Sequence, residues 1–276
     1  MGCGDGDVVR ALVPILGDRT RDVRVITDLS TKKSRAFLLC LPEDGSAREC
    51  VMVAKIYRDE GRALREAEVL AALESAGVAV PAACGATPTV LLRRYVYGPV
   101  LRDVHWTLEL ARKLGAWLYS CHEALRLAPQ GVGGYGRTRL VGDMNLGNFV
   151  IDVAQADGDE AVAWRDCGTR GIVCGIDFGD TRVGDPLEDV GEGFMRILSH
   201  RPGYTMERQA CAAAFVWEYG RLSGAGDMVW SEVERHVLAA FRRVAAWRRD
   251  PFMNDVAEAV GAMWGSGTPQ IDWDGV

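Results

Sequence analysis

Three side chains in the second half of the sequence have the types and spacing to hold a hard cation. In LVGDMNLGNFVID, residues 140–152, the carboxylate of Asp143 is followed five positions later by the amide of Asn148. Downstream, the apolar run in GIVCGIDFGD, residues 171–180, ends abruptly on Asp177. Two carboxylates and one amide are the hard oxygen ligands that Mg²⁺ accepts when it also keeps water and substrate phosphate in its shell. That is a phosphoryl-transfer site in outline. In the first half, CVMVAKIY, residues 50–57, alternates as a strand, so Val51, Val53, Lys55 and Tyr57 share one face. Lys55 then stands on an apolar face, where an unpaired ammonium is costly and a carboxylate is needed. In the helical segment that follows, Glu66 shares a stripe with Leu70 and Leu73, whereas Glu68 aligns with Ala71, Ala72 and Ser75. Glu66 is the better partner for Lys55.

The elements that must position these residues change character near residue 98. Before it, β-rich runs at 22–28, 35–41, 50–57 and 89–96 alternate with turn-forming segments such as PEDGS. They read as antiparallel strands, interrupted by one helical segment, 60–75, with Gly77 as its stop and Pro81 beyond. After it helices dominate. Residues 106–125 carry a broad apolar arc of Leu108, Leu110, Ala111, Leu114, Trp117, Leu118, Cys121 and Leu125, the mark of a mostly buried helix. From residue 230, Val233, Val237, Ala240, Phe241, Val244 and Trp247 follow the spacing of a one-sided helix, with Arg235, Arg242, Arg243, Arg248 and Arg249 on a solvated face. The expected architecture is α+β: a small antiparallel-sheet lobe with one helix, 1–97, followed by a larger helical lobe, 98–276. The mixed-charge segment 153–170 reads as a hairpin or loop between two strands and is assigned no chemistry.

Composition excludes several classes. The 276 residues hold 32 Lys plus Arg against 38 Asp plus Glu, a net charge of −6, with 48% apolar residues, so the chain is neither disordered nor fibrous. The acidity argues against nucleic acid as a partner, which requires a clustered basic face. The longest apolar stretch, 210–217, is far short of the roughly 18 residues of a membrane span. The start MGCGDGDVV lacks the basic segment and apolar core of a signal peptide, so the expected location is the cytoplasm. Eight cysteines lack metal-site spacing and read as reduced and mostly buried. His105, His122, His200 and His236 show no spacing with Ser or Cys that marks a triad, which speaks against a hydrolase.

Taken in order, VAK, REAEVLAALESAGVAVP, GDMNLGN and IDFGD running into GDPLEDVG resemble the aminoglycoside phosphotransferase and choline kinase group within the protein-kinase-like fold, over roughly residues 22–192. The resemblance implies a bilobal kinase-like chain that uses ATP and Mg²⁺ to phosphorylate a hydroxyl of a small molecule, aminoglycoside-like or an amino alcohol. By position, it implies that Lys55 holds the α- and β-phosphates and Glu66 orients it. Asp143 accepts or steers the proton of the acceptor hydroxyl, while Asn148 and Asp177 hold magnesium. The hinge LLRRYVYG puts backbone groups near Arg94 and Val96 at the adenine edge, Val53 above the base, and Ser30 and Thr31 of the loop 29–34 at the phosphates.

Two departures from the family pattern stand out. Val141 occupies the place of a usual His, and the phosphate-covering loop has no glycine. They keep a nucleotide-binding pseudokinase as an alternative, beside an atypical protein kinase. Only short sequence separates Asp180 from the helix beginning near Pro186, which favours a small acceptor over a protein. Asp185 reads as that helix's N-cap with Pro186 at its first position, and Asp189 belongs to the same motif. Asp103, Glu188, Glu192, Asp272 and Asp274 would suit a cationic acceptor if they converged.

Overall fold

In the computed structural model the described residues are 5–30, 35–42, 49–127, 136–153, 171–226, 228–248, and 255, 256, 258 and 260. The chain divides into two compact units between Tyr97 and Gly98. The first unit is built on a five-stranded antiparallel sheet of β1 (Arg24–Asp28), β2 (Arg35–Pro42), β3 (Glu49–Ile56), β4 (Ala83–Ala86) and β5 (Val90–Arg94), in the order β1-β2-β3-β5-β4. Register pairs Lys55 of β3 with Ala36 of β2 and Leu91 of β5. Because successive side chains leave a strand on opposite faces, β3 serves two cores. Ala54 joins Phe37, Leu39, Leu41, Val90 and Leu92 on one face, while Val53, Lys55 and Tyr57 are buried on the other.

Two helices complete this unit. α1 (Asp5–Leu16), absent from the sequence expectation, presses the fully buried Val8 and Leu12 onto the Ala54 face. Its adjacent valines and its internal Pro14 are poor helix formers, and the burial of that i, i+4 pair stabilises it instead. α2 (Arg62–Ser75) buries Ala63, Glu66, Val69, Leu70 and Leu73. It ends as expected at Gly77: the N–H of Val78 reaches the carbonyl of Leu73 and that of Gly77 the carbonyl of Glu74, a Schellman closure. β4 was also missed by pattern. It is four residues long and its register slips between Ala83 and Gly85, which erases the alternation.

The second unit is mostly helical: α3 (Leu108–Ala124), α4 (Pro186–Ser199), α5 (Met206–Ser223) and α6 (Met228–Arg248). α3 packs on α5, and α4 on both α5 and α6. Gly191 permits the α4–α6 contact, since a Cβ there would lie 2.6 Å from the His236 main chain. Between α3 and α4 run two short antiparallel pairs, β6 (Thr138–Leu140) with β9 (Arg182–Gly184) and β7 (Phe149–Asp152) with β8 (Ile172–Gly175). Trp117 of α3 meets Phe149 edge-on, with ring centroids 5.2 Å apart, and Phe178 at 6.2 Å, so the segment following β8 is seated on an aromatic core.

Some expectations shift. Trp247, placed by periodicity on the apolar side of α6, is 75% exposed. Arg235 and Arg243 do lie on the exposed face but bend to Asp185 and Glu192. Asp185 caps α4 in a full capping box with Glu188, and Pro186 begins the helix. Cys40, Cys121, Cys174 and Cys211 are buried thiols; Cys50 is half-buried and Cys84 exposed. Cys3, Cys167 and nearly all of 153–170 lie outside the described residues. Among the described residues no helix is long and apolar enough to cross a membrane. Leu12→Ala should destabilise the protein by about 2–5 kcal/mol, the range for a buried leucine. The check is a urea titration followed by far-UV circular dichroism, where an unchanged midpoint would contradict the packing of α1 on the sheet.

Candidate active site

The first unit brings Lys55 and Glu66 together. Nζ lies 2.8 Å from Oε1 and 3.0 Å from Oε2, with both side chains out of solvent. The Tyr57 hydroxyl donates to the same carboxylate, and its ring lies 5.2 Å from the ammonium. Strand parity points Lys55 and Tyr57 the same way, and the α2 stripe through Leu70 and Leu73 turns Glu66 toward them. Desolvating two charges is expensive, and a buried pair tolerates it only when its remaining hydrogen-bonding capacity is met, here in part by Tyr57.

Around this pair, Val53 is buried on the same face. Arg94 spends its main chain inside the unit, its N–H on Ala82 O at 2.9 Å and its carbonyl on the Arg93 guanidinium at 3.3 Å. Val96 is buried. Ser30 closes the hairpin after β1: its hydroxyl oxygen accepts the Ala36 N–H at 3.1 Å. Hydrogen bonds from the Ser30 side chain and main chain hold the Asp28 carboxyl below its ordinary value. Thr31 lies outside the described residues.

In the second unit the loop from Val141 to Asn148 is organised by a residue whose role sequence reading missed. The Asp189 carboxylate, 2% exposed on α4, accepts the Val141 N–H at 2.6 Å and the Gly142 N–H at 3.2 Å. The same carboxylate shares a hydrogen bond with His122 Nε2 at 3.1 Å, and His122 Nδ1 meets the Tyr219 hydroxyl at 2.9 Å. His122 is buried; its place four residues after Leu118, on the apolar arc of α3, was the available signal. Val141 buries its side chain where the family pattern has His, and its main chain remains pinned. Gly142 has φ +85°, and a Cβ on it would stand 2.2 Å from Asp180 O, so only glycine fits.

Within the loop, Asp143 Oδ1 accepts the Asn145 N–H at 3.2 Å, and Asn145 in turn accepts the Gly147 N–H at 3.0 Å. Asn148 Nδ2 donates to Asp143 O at 3.2 Å, and Asn148 O accepts the Ile176 N–H at 2.8 Å. The β7–β8 pairing thus brings Asn148 and Asp177 to one end of a hairpin. Asp177 Oδ1 accepts the Gly179 N–H at 3.0 Å in an Asx turn. Among the described residues no three His, Cys, Asp or Glu side chains cluster as metal ligands. The donors offered here are hard oxygens that include an amide, the chemistry Mg²⁺ accepts with water and phosphate completing its shell.

A chain of charges runs from α6 to this loop: Arg243 Nη2 to Glu192 Oε2 at 2.7 Å, Glu192 Oε1 to Arg196 Nη2 at 2.8 Å, and Arg196 Nη2 to Asp143 Oδ1 at 3.7 Å. Glu188 is likewise taken by Arg182 at 2.6 Å, which holds its carboxyl below the ordinary value. These two glutamates therefore do not gather for a cationic acceptor. Asp103 faces Arg102, while Asp272 and Asp274 lie outside the described residues. None of the four histidines bonds a Ser or Cys among the described residues.

No family model matches the sequence, and no curated protein matches it. Solved structures of similar fold are found where sequence comparison finds nothing. The solved complex of amicoumacin kinase hAmiN with AMP-PNP, Ca²⁺ and Ami has a TM-score of 0.64 at 11% identity, covering 95% of this chain and 94% of that one. The chain has the protein-kinase-like fold. Choline kinase from Cryptosporidium parvum gives a TM-score of 0.57 at 9% identity over 95% and 94% of the two chains. Aminoglycoside phosphotransferase APH(3'')-Id from Streptomyces rimosus gives 0.51 at 16% identity over 86% and 99%. At such identities what is shared is the fold.

Asp189→Ala leaves the buried Val141 N–H, the half-buried Gly142 N–H and His122 Nε2 without their partner, at about 1–3 kcal/mol for each fully buried group. A lowered melting temperature and faster hydrogen exchange at Val141 and Gly142 are expected. Exchange at those amides equal to the parent's would contradict the anchoring role.

Proposed function

We propose that the protein transfers the γ-phosphoryl group of ATP, taken up with Mg²⁺, to a hydroxyl of a small molecule. The observation that carries this reading is the Val141–Asn148 loop. Its main chain is pinned by a buried carboxylate, and it presents Asp143 with Asn148 tied to it and Asp177 at the end of the adjoining hairpin. In the reaction, the acceptor oxygen bonds to the γ-phosphorus as the bond to the β,γ-bridging oxygen breaks. ADP departs, and the hydroxyl proton passes to the Asp143 carboxylate. The transition state is loose and highly charged, so positioning and electrostatics account for most of the acceleration.

Each unit has its part. Lys55 donates to the α- and β-phosphates, and Glu66 fixes the direction of its ammonium. Val53 packs over the base and the main chain near Val96 meets the adenine edge; the Arg94 groups, already engaged, contribute by shaping that segment. Ser30 and Thr31 belong to the loop assigned to the phosphates. Asn148 and Asp177 hold the magnesium ion, Asn148 through Oδ1, since its Nδ2 is committed to Asp143 O. The bound ion supplies positive charge to the phosphate oxygens.

A small acceptor is supported over a protein because the chain from Thr181 to Asp185 is largely occupied by β9, which pairs with β6. The named neighbours include kinases of choline and of amicoumacin, and an amine-bearing acceptor is the family expectation for this chain.

Release of ADP from ATP and MgCl₂, measured across a panel of aminoglycosides, choline, ethanolamine, sugar alcohols and glycerate, tests the reading. Asp143→Asn should lower kcat by about 10²–10⁴, the usual worth of a general base. Asp177→Ala should abolish metal-dependent turnover with an unchanged circular dichroism melt. Full activity in Asp177→Ala would refute the assignment of the metal site, and ATP binding without acceptor-dependent ADP release would identify a pseudokinase.

A further inference from the structure

The loop that carries Asp143 contains no cation between Leu140 and Asp152. Two arginines from elsewhere in the same unit reach it. Arg196, in the last turn of α4, sets Nη2 3.7 Å from Asp143 Oδ1. Its Nε and Nη2 both donate to Glu192 Oε1, at 3.2 and 2.8 Å, which fixes the plane of the guanidinium while Nη1 takes no partner among the described residues. The side chain keeps 20% exposure. Arg102 lies at the other end of the loop, where a Cβ on Gly147 would be 3.3 Å from its Nη1. It is anchored through its carbonyl, which bonds His200 Nε2 at 2.7 Å, one helical turn past Arg196. The end of α4 therefore serves both arginines.

The nearby acids do not offset this arrangement in favour of an amine. Glu192 is shared between Arg196 and Arg243, Glu188 is taken by Arg182, and Asp103 meets Arg102 only at 3.5 Å with both side chains largely in solvent. Burial, with a smaller contribution from the Arg208 charge, holds His200 below its ordinary value despite its bond to the Arg102 carbonyl. A planar guanidinium with unspent N–H groups meets a carboxylate or phosphate through charge-assisted hydrogen bonds.

We infer that the acceptor carries an oxyanion, a carboxylate or a phosphate group, close to the hydroxyl it presents to Asp143, and that Arg196 and Arg102 bind it. This rests on the phosphotransferase reading of Asp143 given above and departs from the amine-bearing acceptor that the family resemblance implies. Arg196 then sets specificity: it draws an anionic acceptor toward the loop and opposes an ammonium in the same place.

The test uses the full chain in 150 mM salt with ADP and Mg²⁺ present, and titrates glycerate, inorganic phosphate and choline by calorimetry. Glycerate or phosphate is expected to bind, the stronger of the two showing whether the group is carboxylate-like or phosphate-like. Arg196→Ala and Arg102→Ala should each weaken that binding by about tenfold or more, the order of one lost hydrogen bond to a charged group. Arg196→Lys should recover part of it. Failure of both oxyanions to bind, tighter binding of choline, or oxyanion binding untouched by either substitution would overturn the inference. ATP binding, measured on the same preparation with Mg²⁺ but without ADP, separates the two levels: if ATP binds and the oxyanions do not, only the acceptor class is wrong; if ATP fails to bind, the phosphotransferase reading fails with it.

Discussion

One buried carboxylate organises the second unit. Asp189 takes two successive main-chain N–H groups of the loop before Asp143 and a ring nitrogen of His122, and His122 meets Tyr219. α4, α3, α5 and the loop are thereby joined through polar contacts inside an apolar core. Hydrogen bonds to an ionised acceptor in low dielectric are strong, and leaving their donors unmet is costly, so the loop has one arrangement rather than several. The geometry of Asp143 and Asn148 is inherited from that anchor.

The first unit solves a comparable problem with a charge pair. Lys55 and Glu66 are both removed from water, and neither is tolerable alone. Their pairing ties β3 to α2, while α1 seals the opposite face of the sheet through Val8 and Leu12. An ammonium stabilised in this way is held in one direction, a property that a phosphate-binding lysine needs and that a flexible surface lysine lacks.

Around the loop, ionic contacts also decide what the acids are for. Glu188 and Glu192 read in sequence as negative charge awaiting a cation; in the fold they are the inner partners of Arg182, Arg196 and Arg243. A carboxylate so engaged contributes order rather than an open binding charge. The arginines, whose five donors outnumber the oxygens facing them, retain unspent N–H groups.

Much of this was legible in the sequence because it is periodic or local. Strand parity put Lys55 on the apolar face and helix spacing singled out Glu66. Gly77 announced the end of α2, Asp185 and Pro186 the start of α4, and the runs 140–152 and 171–180 showed the oxygen donors. These signals depend only on covalent geometry repeated every two or 3.6 residues. What escaped was long-range or locally weak. α1 has poor helix propensity and exists through burial, β4 is too short and irregular to alternate, and His122 and Asp189 lie 67 residues apart. The sequence by itself determined the residue types, their order and the faces on which they stand; only the tertiary structure decided which carboxylates anchor main chain and which are neutralised by arginine. The physical reason is that the cost of burying a charge depends on the neighbours the fold brings to it, and those neighbours are distant in the chain.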